Sequence, residues 1–226
     1  MSDSKLDHLV IMAATLDEGV AWCEATLGVT PGPGGAHPLM GTRNRLLRLA
    51  TAAWPRAYAE IIAVDTAAPH TRAAGTRRWF DMDDAALRER VAKEGPKLIH
   101  WIASVRDVST AGAAWRMLGI DRGAPVTASR QTADGLLQWQ ITVRGDGQRL
   151  FDGTLPTLIQ WGDVHPADTM PDSGVSLQAL QLQHPQAELL QAALQAIGLN
   201  HVEYRAGPAE IVAVLNTPKG RVVLAS

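Results

Sequence analysis

The sequence has few of the residues that mark secreted, membrane-spanning or nucleic-acid-binding proteins. A single cysteine, Cys23, excludes an internal disulfide and any zinc site built on several thiolates. No apolar run is long enough for a signal peptide or a membrane span. The 21 basic residues do not exceed the 23 acidic ones and form no cluster that could follow a phosphate backbone. We therefore predict a cytoplasmic protein that binds neither membranes nor nucleic acid.

What is present is the composition of an ordinary folded protein. The chain has 226 residues, of which 46% are hydrophobic and 19% charged, so it can bury a sizeable core. Short β-rich runs alternate with helical patterns that stop at glycine. Residues 6–13 form the first such run, and residues 17–27 have helical spacing that ends at Gly28. We predict an α+β fold.

The most informative feature is an internal repeat. A shift of 92 positions aligns residues 6–10 with residues 98–102 and places His8 on His100. Each apolar run is followed by an Ala-rich stretch that ends at Leu-Gly. A weaker third copy, without the histidine, follows near the C-terminus. We predict paired βαβββ modules that form a curved, open-barrel sheet around a cavity, plus a third, C-terminal βαββ unit.

The repeat also sets the predicted domain boundaries. Such modules can pair within one chain or between chains; the repeat favours pairing within the chain and leaves a homodimer open. The paired modules occupy residues 1–172, with module one at about 5–66, a linking helix at about 78–95 and module two at about 97–164, and the extension occupies residues 173–226.

Polar residues inside apolar strands mark a candidate metal site. Because side chains alternate along a strand, His8 and His100 are each expected on the inner face of their module, where they converge. Glu60 and Gln160 lie in the last strand of each module, and a buried glutamate is costly unless it is paired or bound. This donor set suits Fe(II), Mn(II), Zn(II), Co(II) or Ni(II). A core role for the histidines and a substrate-binding role for Gln160 are the alternatives.

A glycine-rich loop supplies further candidates. Its glycines allow the backbone to approach a ligand closely, and Thr42, Arg43 and Asn44 offer donors for a carboxylate or carbonyl group. These residues can instead hold the loop together. His37 is a candidate wall residue or general base.

Tryptophan accounts for seven of the eleven aromatic residues. Trp79 and Trp139 are candidates for lining a pocket, where they would favour an apolar or planar ligand. Trp101 and Trp161 follow His100 and Gln160 directly, so we expect them on the opposite face of the sheet.

The chain resembles the glyoxalase-like domain proteins of the vicinal oxygen chelate superfamily over about residues 5–170. The resemblance rests on five segments, LDHLVI (6–11), GGAHPLMGTRN (34–44), RWFDMDD (78–84), LIHW (98–101) and LPTLIQW (155–161). It implies metal ligands on the first and last strand of each module, at His8, Glu60, His100 and Gln160. Gln160 departs from the glutamate that metal-using members often carry there.

The resemblance implies a small-molecule enzyme. A divalent metal (Zn, Ni, Co, Mn or Fe) would bind vicinal oxygens and stabilise an enediolate-type intermediate, with Glu60 and His37 as catalytic residues. One alternative is a non-catalytic protein that binds a drug or apolar metabolite in the same pocket, which Gln160 and the tryptophans favour. A second is an Fe(II) ring-cleaving dioxygenase, because two histidines and Glu60 also satisfy a facial triad.

Overall fold

The structure is a computed structural model that describes residues 4–68, 70–132 and 135–226. Within these residues, strands and helices alternate in the order the repeat predicts. The strands are β1 Lys5–Met12, β2 Ala36–His37, β3 Thr42–Arg48, β4 Tyr58–Val64, β5 Lys97–Ser104, β6 Pro125–Thr132, β7 Gly135–Thr142, β8 Thr157–Trp161, β9 Ser176–Gln183, β10 Glu203–Arg205, β11 Glu210–Thr217 and β12 Gly220–Ala225. The helices are α1 Leu16–Leu27, α2 Ala85–Glu94, α3 Val108–Met117 and α4 Ala187–Ala196.

The first eight strands form one curled sheet in the order β2-β3-β4-β1-β5-β8-β7-β6. The first strands of the two modules, β1 and β5, run antiparallel at its centre. Each pairs on its outer side with the last strand of its own module, in parallel, as β1–β4 and β5–β8. The sheet therefore has two similar halves, which confirms the predicted α+β fold with paired modules.

Two parts of the architecture differ from the sequence pattern. β6 consists mainly of Thr, Ser, Arg and Gln, so its composition does not predict a strand. The C-terminal unit has one more strand than predicted, because the short β10 joins the second sheet, which has the order β10-β9-β11-β12. The division into domains at residue 172 stays a prediction.

The helices begin and end at residues with clear local causes. Thr15 caps α1 by accepting a hydrogen bond from the Glu18 N–H, and Gly28 ends it with a φ of 79° that favours glycine. Asp84 and Asp107 cap α2 and α3 in the same way. None of the helices in the described ranges is long and apolar enough to cross a membrane.

Apolar layers cover both faces of the eight-strand sheet. On the convex face, α1, α3, α4 and the second sheet enclose one core, in which the buried Trp115 indole donates to the Ala193 carbonyl at 2.7 Å. A second cluster fills the concave face and includes Val10, Ile62, Trp79 and Trp139. Polar side chains on the concave face are thus enclosed by apolar neighbours.

A β-bulge interrupts the central strand pair. The register of β1 against β5 pairs Leu6 with Ala103 and then His8 with Ile102, so Asp7 has no partner in the ladder. An extra residue breaks the alternation of side chains and re-aims one of them. As a result, both Asp7 and His8 contact groups on the concave side of the sheet.

Candidate functional site

A small buried cavity lies on the concave face of the sheet, where module one meets the tryptophans of module two. Its volume is about 30 Å³, which leaves room for about two water molecules. The polar side chains lining it come mainly from module one, and the apolar ones mainly from the linking segment and module two. The lining residues are His8, His37, Asn44, Leu46, Tyr58, Glu60, Trp79, Phe80, Arg130, Leu137, Trp139, Ile141, Ile159, Trp161 and Pro166.

His8 lines this cavity, and the neighbouring Asp7 holds the His8 ring in place. The His8 Nδ1–H donates to Asp7 Oδ1 at 2.7 Å, and the His8 ring stacks on Tyr58 with centroids 4.5 Å apart. Asp7 Oδ2 accepts from the Trp161 indole at 2.9 Å and lies 3.1 Å from His165 Nε2. The His8 ring is therefore held on both its edge and its face, with Nε2 directed at Glu60.

Glu60 stands between the two histidines of module one. Its Oε2 lies 3.6 Å from His8 Nε2, and its Oε1 lies 3.9 Å from His37 Nε2. Asn44 Nδ2 donates to Glu60 Oε1 at 2.6 Å and lies 3.4 Å from His37 Nε2. The Gly35 N–H donates to Asn44 Oδ1 at 2.7 Å, which fixes the orientation of this amide. Three titratable side chains thus converge at one point.

Burial and charge set the protonation states of these groups. Burial alone would lower the pKa of His8, but hydrogen bonds to Asp7 and Glu60 outweigh it and raise this pKa to about 9. Burial lowers the pKa of His37 to about 4, against the opposing effect of Glu60. Burial would raise the pKa of Glu60, but the bond and charge of His8 lower it instead. At neutral pH the site holds an imidazolium, a carboxylate and a neutral imidazole.

Aromatic side chains close the cavity above these polar groups. Trp79 and Trp139 both contact the His37 ring edge-on, at centroid distances of 5.1 and 6.4 Å. Trp161 also lines the cavity, so its predicted place on the opposite face is wrong. Trp101 does lie away from the cavity, fully buried with its indole donating to the Thr154 carbonyl at 2.8 Å.

His100 lies outside this cluster, in a separate polar network of module two. Its Nδ1 bonds the Gly153 carbonyl at 2.9 Å, and its Nε2 lies 3.0 Å from Thr157 Oγ1 and 2.9 Å from Arg122 Nη2. Burial first, and then the charge of Arg122, hold the pKa of His100 well below its usual value. The predicted meeting of His100 with His8 does not occur, because both ring nitrogens of His100 already have partners.

Gln160 faces the convex side of the sheet. Its Oε1 accepts from the Val108 N–H at the start of α3, at 3.0 Å. The prediction of Gln160 as a metal ligand or substrate-binding residue is therefore wrong. The register explains why: Val10 pairs with Glu60, and the repeat equivalent of Val10, Ile102, pairs with Thr157. Thr157, an odd number of positions from Gln160, is thus the true counterpart of Glu60, and Gln160 points to the other face.

Of the three candidate residues in the glycine-rich loop, two contact groups of the cavity and one does not. Asn44 lines the cavity, and Thr42 Oγ1 lies 3.2 Å from His37 Nδ1, where it orients that ring. The Arg43 side chain is 59% exposed and lies 3.8 Å from Asp65, away from the cavity. The prediction of Arg43 as a substrate-binding residue is therefore not supported by its position.

The residues present do not fit a divalent metal. Among the described residues, no group of three or more His, Cys, Asp or Glu side chains is arranged to hold a metal ion. The chemistry of the donors gives the reason. The amide of Asn44 is fixed by Gly35 so that its N–H₂ group, a hydrogen donor, points between Glu60 and His37. A cation at that place would meet hydrogen atoms instead of lone pairs.

Several residues of the site carry no signal in the sequence. Asp7 contacts the cavity residues His8 and Trp161 at a β-bulge, which strand alternation cannot predict. Tyr58 and Trp161 occupy positions that look like ordinary core. Arg130 lies on β6, the strand whose polar composition hides it. The adjacent pair Asp7-His8 is the one pattern that could have suggested an oriented histidine.

Comparison with known proteins agrees with this architecture. The sequence profile of the glyoxalase-like domain matches residues 6–198. The chain therefore belongs to the glyoxalase-like domain family, which confirms the resemblance inferred from the sequence. No curated protein matches the chain.

Among solved structures, a hypothetical protein from Staphylococcus aureus has a TM-score of 0.60 and 14% identity, with 91% of this chain and 86% of that chain covered. A methylmalonyl-CoA epimerase variant from Streptomyces coelicolor, in complex with 2-nitronate-propionyl-CoA, has a TM-score of 0.43 and 19% identity over 71% of this chain and 96% of that chain. A 4-hydroxymandelate synthase variant from Streptomyces coelicolor has a TM-score of 0.48 and 14% identity over 100% of this chain and 63% of that chain. At 14% identity the likeness to the Staphylococcus aureus protein concerns the fold alone.

Proposed function

We propose that this protein is a small-molecule enzyme of the glyoxalase-like type that moves a proton at a carbon atom next to a carbonyl group. One observation carries the proposal: Glu60 lies 3.6 Å from His8 and 3.9 Å from His37 in a buried cavity. An acid, a base and a cation at one point are what proton transfer next to a carbonyl requires.

Each side chain has a distinct part in this reaction. Glu60, oriented by Asn44, takes the proton from carbon, and the electrons of the broken C–H bond move to the carbonyl oxygen. The His8 imidazolium stabilises the negative charge on that oxygen, with Asp7 holding the ring in place. Neutral His37, oriented by Thr42, receives the proton from Glu60 and returns it to carbon while the electrons on the oxygen move back to form the carbonyl group and the new C–H bond. No group leaves, so the product is an isomer of the substrate.

The tryptophans support the same scheme. They shield the cavity from bulk water, and low local polarity strengthens the interaction of His8 with a developing oxyanion. The superfamily resemblance implies a divalent metal at this place, but the orientation of the Asn44 amide opposes one. The proposed reaction therefore uses the side chains of the chain alone. The same cavity without turnover would make the protein a binder of apolar small molecules.

The test is isotope exchange in D₂O. Small carbonyl compounds that quench tryptophan fluorescence are incubated with the protein, and loss of the α-C–H signal is followed by proton NMR. We expect exchange by the unmodified protein and a fall of roughly 10²–10⁴-fold in E60Q, because general acid–base catalysis contributes about that factor. H37N should also lose rate.

The matched control is T157V, which changes the counterpart of Glu60 in module two and should leave the rate within a few-fold. Metal analysis and chelation accompany the assay. Ligands that bind without exchange, with unchanged affinity in E60Q, would contradict the enzyme and support the binding protein. Exchange that disappears on chelation and returns with a divalent ion would instead establish the metal-dependent form.

A further inference from the structure

Arg130 extends from the last strand of the sheet towards its first strand. The curl of the sheet brings the two edges together, so that the guanidinium of Arg130 on β6 lies against Gly35, just before β2. A Cβ atom at Gly35 would collide with Arg130 Nη1. The backbone of Gly35 does not have a positive φ, so glycine is needed here for space and not for conformation.

The Arg130 guanidinium has a buried nitrogen without a hydrogen-bond partner. Arg130 Nη1 is buried, and nothing in the part of the chain that the structure describes accepts a hydrogen bond from it. Four buried side-chain nitrogens in the described ranges lack a hydrogen-bond partner, and Arg130 Nη1 is the one that belongs to a permanently charged group, for which burial without a partner is most costly. Elsewhere in the described chain, the buried Arg122 has its donors bonded to the Pro156 and Gln148 carbonyls. The missing acceptor at Arg130 therefore indicates a ligand.

The place of Arg130 defines what that ligand must look like. Arg130 lines both the small inner cavity and a larger groove of about 930 Å³. Leu46, Leu137 and Pro166 also border both spaces, so the junction between them is apolar apart from Arg130. A ligand that reaches Glu60 from the groove must pass the guanidinium.

We propose that Arg130 is a substrate-binding residue that recognises a carboxylate, so that the substrate is a carbonyl compound with a carboxylate and an apolar tail. The inference rests on the proposed function for the reacting end of the ligand. The planar guanidinium matches a carboxylate with parallel N–H···O bonds, in a geometry that an uncharged amide cannot reproduce. The tail occupies the groove, and the carbonyl group lies at Glu60 and His8.

The charges of the cavity agree with this assignment. Asp7 and Glu60 carry negative charge, and His8 is held between them by its contacts of 2.7 and 3.6 Å. In the proposed reaction His8 faces the carbonyl oxygen of the ligand, so it does not also pair with a carboxylate at another place on the same molecule. Arg130 has no carboxylate within ion-pair distance among the described residues, and is the cation left to neutralise one.

The experiment compares two ligands of the same shape, phenylacetate and phenylacetamide, by calorimetry and tryptophan fluorescence. We expect the unmodified protein to bind the carboxylate roughly 10- to 100-fold more tightly than the amide, since a hydrogen bond to a charged group is worth about that factor. R130M should bind both ligands equally. R43M, which removes an exposed guanidinium that lies away from the cavity, is the control and should keep the preference.

G35A provides a second variant that keeps the arginine. The new methyl group displaces the guanidinium, so the preference for the carboxylate should fall although the charge is still present. Equal affinity of the unmodified protein for the two ligands, including no measurable affinity for either, would overturn the proposal, as would a preference that survives in both R130M and G35A. E60Q should keep the preference, so failure of the exchange reaction and failure of carboxylate recognition are separate results.

Discussion

The two modules hold aligned histidines in opposite electrostatic environments. His8 contacts Asp7 and Glu60, which raise its pKa to about 9. Its repeat equivalent, His100, contacts Thr157 and Arg122, and its pKa lies well below the usual value because of burial and that charge. The same residue at the same position of the same fold is thus an imidazolium in one half and a neutral imidazole in the other. The neighbours, and not the position, decide the chemistry.

The difference comes from two substitutions between the halves. Thr157 stands where module one has Glu60, and Ile99 aligns with Asp7, so module two lacks both carboxylates. Its hydrogen bonds instead link β5, β8 and the loop that carries Arg122. Module two therefore uses its histidine to hold strands together, and module one has its histidine aimed into a cavity.

The largest expected effect separates the two histidines by activity. We predict that H8Q lowers the α-proton exchange rate by roughly 10²–10³-fold, because it removes the cation next to the developing oxyanion. H100Q should keep the rate within a few-fold and lower the free energy of unfolding by about 1–3 kcal/mol, through loss of buried hydrogen bonds. The measurements are exchange by NMR and urea unfolding.

An equal effect of the two substitutions would contradict this prediction. A loss of exchange in H100Q equal to that in H8Q, in protein that is still folded, would mean that both histidines act at one centre.

The next largest effect is on the pH dependence of folding stability, which should be opposite for His8 and His100. His8 has a folded pKa above its unfolded value of about 6.5, so its contribution to stability is complete below that pH and is lost as the pH rises through about 9. This contribution is on the order of 3 kcal/mol. His100 has a lowered pKa, so its contribution is complete above about 6.5 and is lost as the pH falls. The lowered pKa of His37 has the same effect on stability as that of His100, and its contribution is lost as the pH falls to about 4.

Urea unfolding between pH 5 and 10 tests this pair, at pH values chosen about the unperturbed histidine pKa. H8Q should remove the loss of stability on the alkaline side, and H100Q should reduce the loss on the acid side. An alkaline loss of the same size in H8Q and in the unmodified protein would show that His8 is not the group responsible.

The smallest effect concerns Gln160, the residue that the repeat wrongly matched to Glu60. Q160A removes the acceptor for the Val108 N–H at the start of α3 and should cost about 1 kcal/mol of stability, as loss of a helix N-terminal partner does. The exchange rate should not change. A change in rate without a change in stability would place Gln160 at the site after all.

Much of the fold follows from the sequence because it depends on repeated local patterns. The alignment of His8 with His100, and the helix that ends at Gly28, identify β1, α1 and their copies without any knowledge of contacts. The sequence pattern does not predict β6, because an edge strand with one solvated face needs no run of apolar residues. The same strand carries Arg130, so an arginine with an unpaired buried donor lies on a strand that the sequence does not predict.

The convergence of polar side chains could be predicted within module one but not between the two modules. His8, Glu60, His37 and Asn44 do meet, because the strands of one module share a single register. Between modules, the shift that aligns His8 with His100 does not apply to the last strands, because the loops before them differ in length. Gln160 was therefore matched to Glu60 in place of Thr157, and an odd offset moved it to the wrong face.

The bulge at Asp7 also makes the site a single continuous network. The adjacent side chains of Asp7 and His8 both contact groups around the cavity. Hydrogen bonds and close contacts therefore continue without a gap from His165 through Asp7, His8 and Glu60 to Asn44. Groups connected in this way polarise one another. Substitutions at the two ends of the chain of contacts will therefore not have additive free energies, although His165 and Asn44 belong to different halves of the molecule.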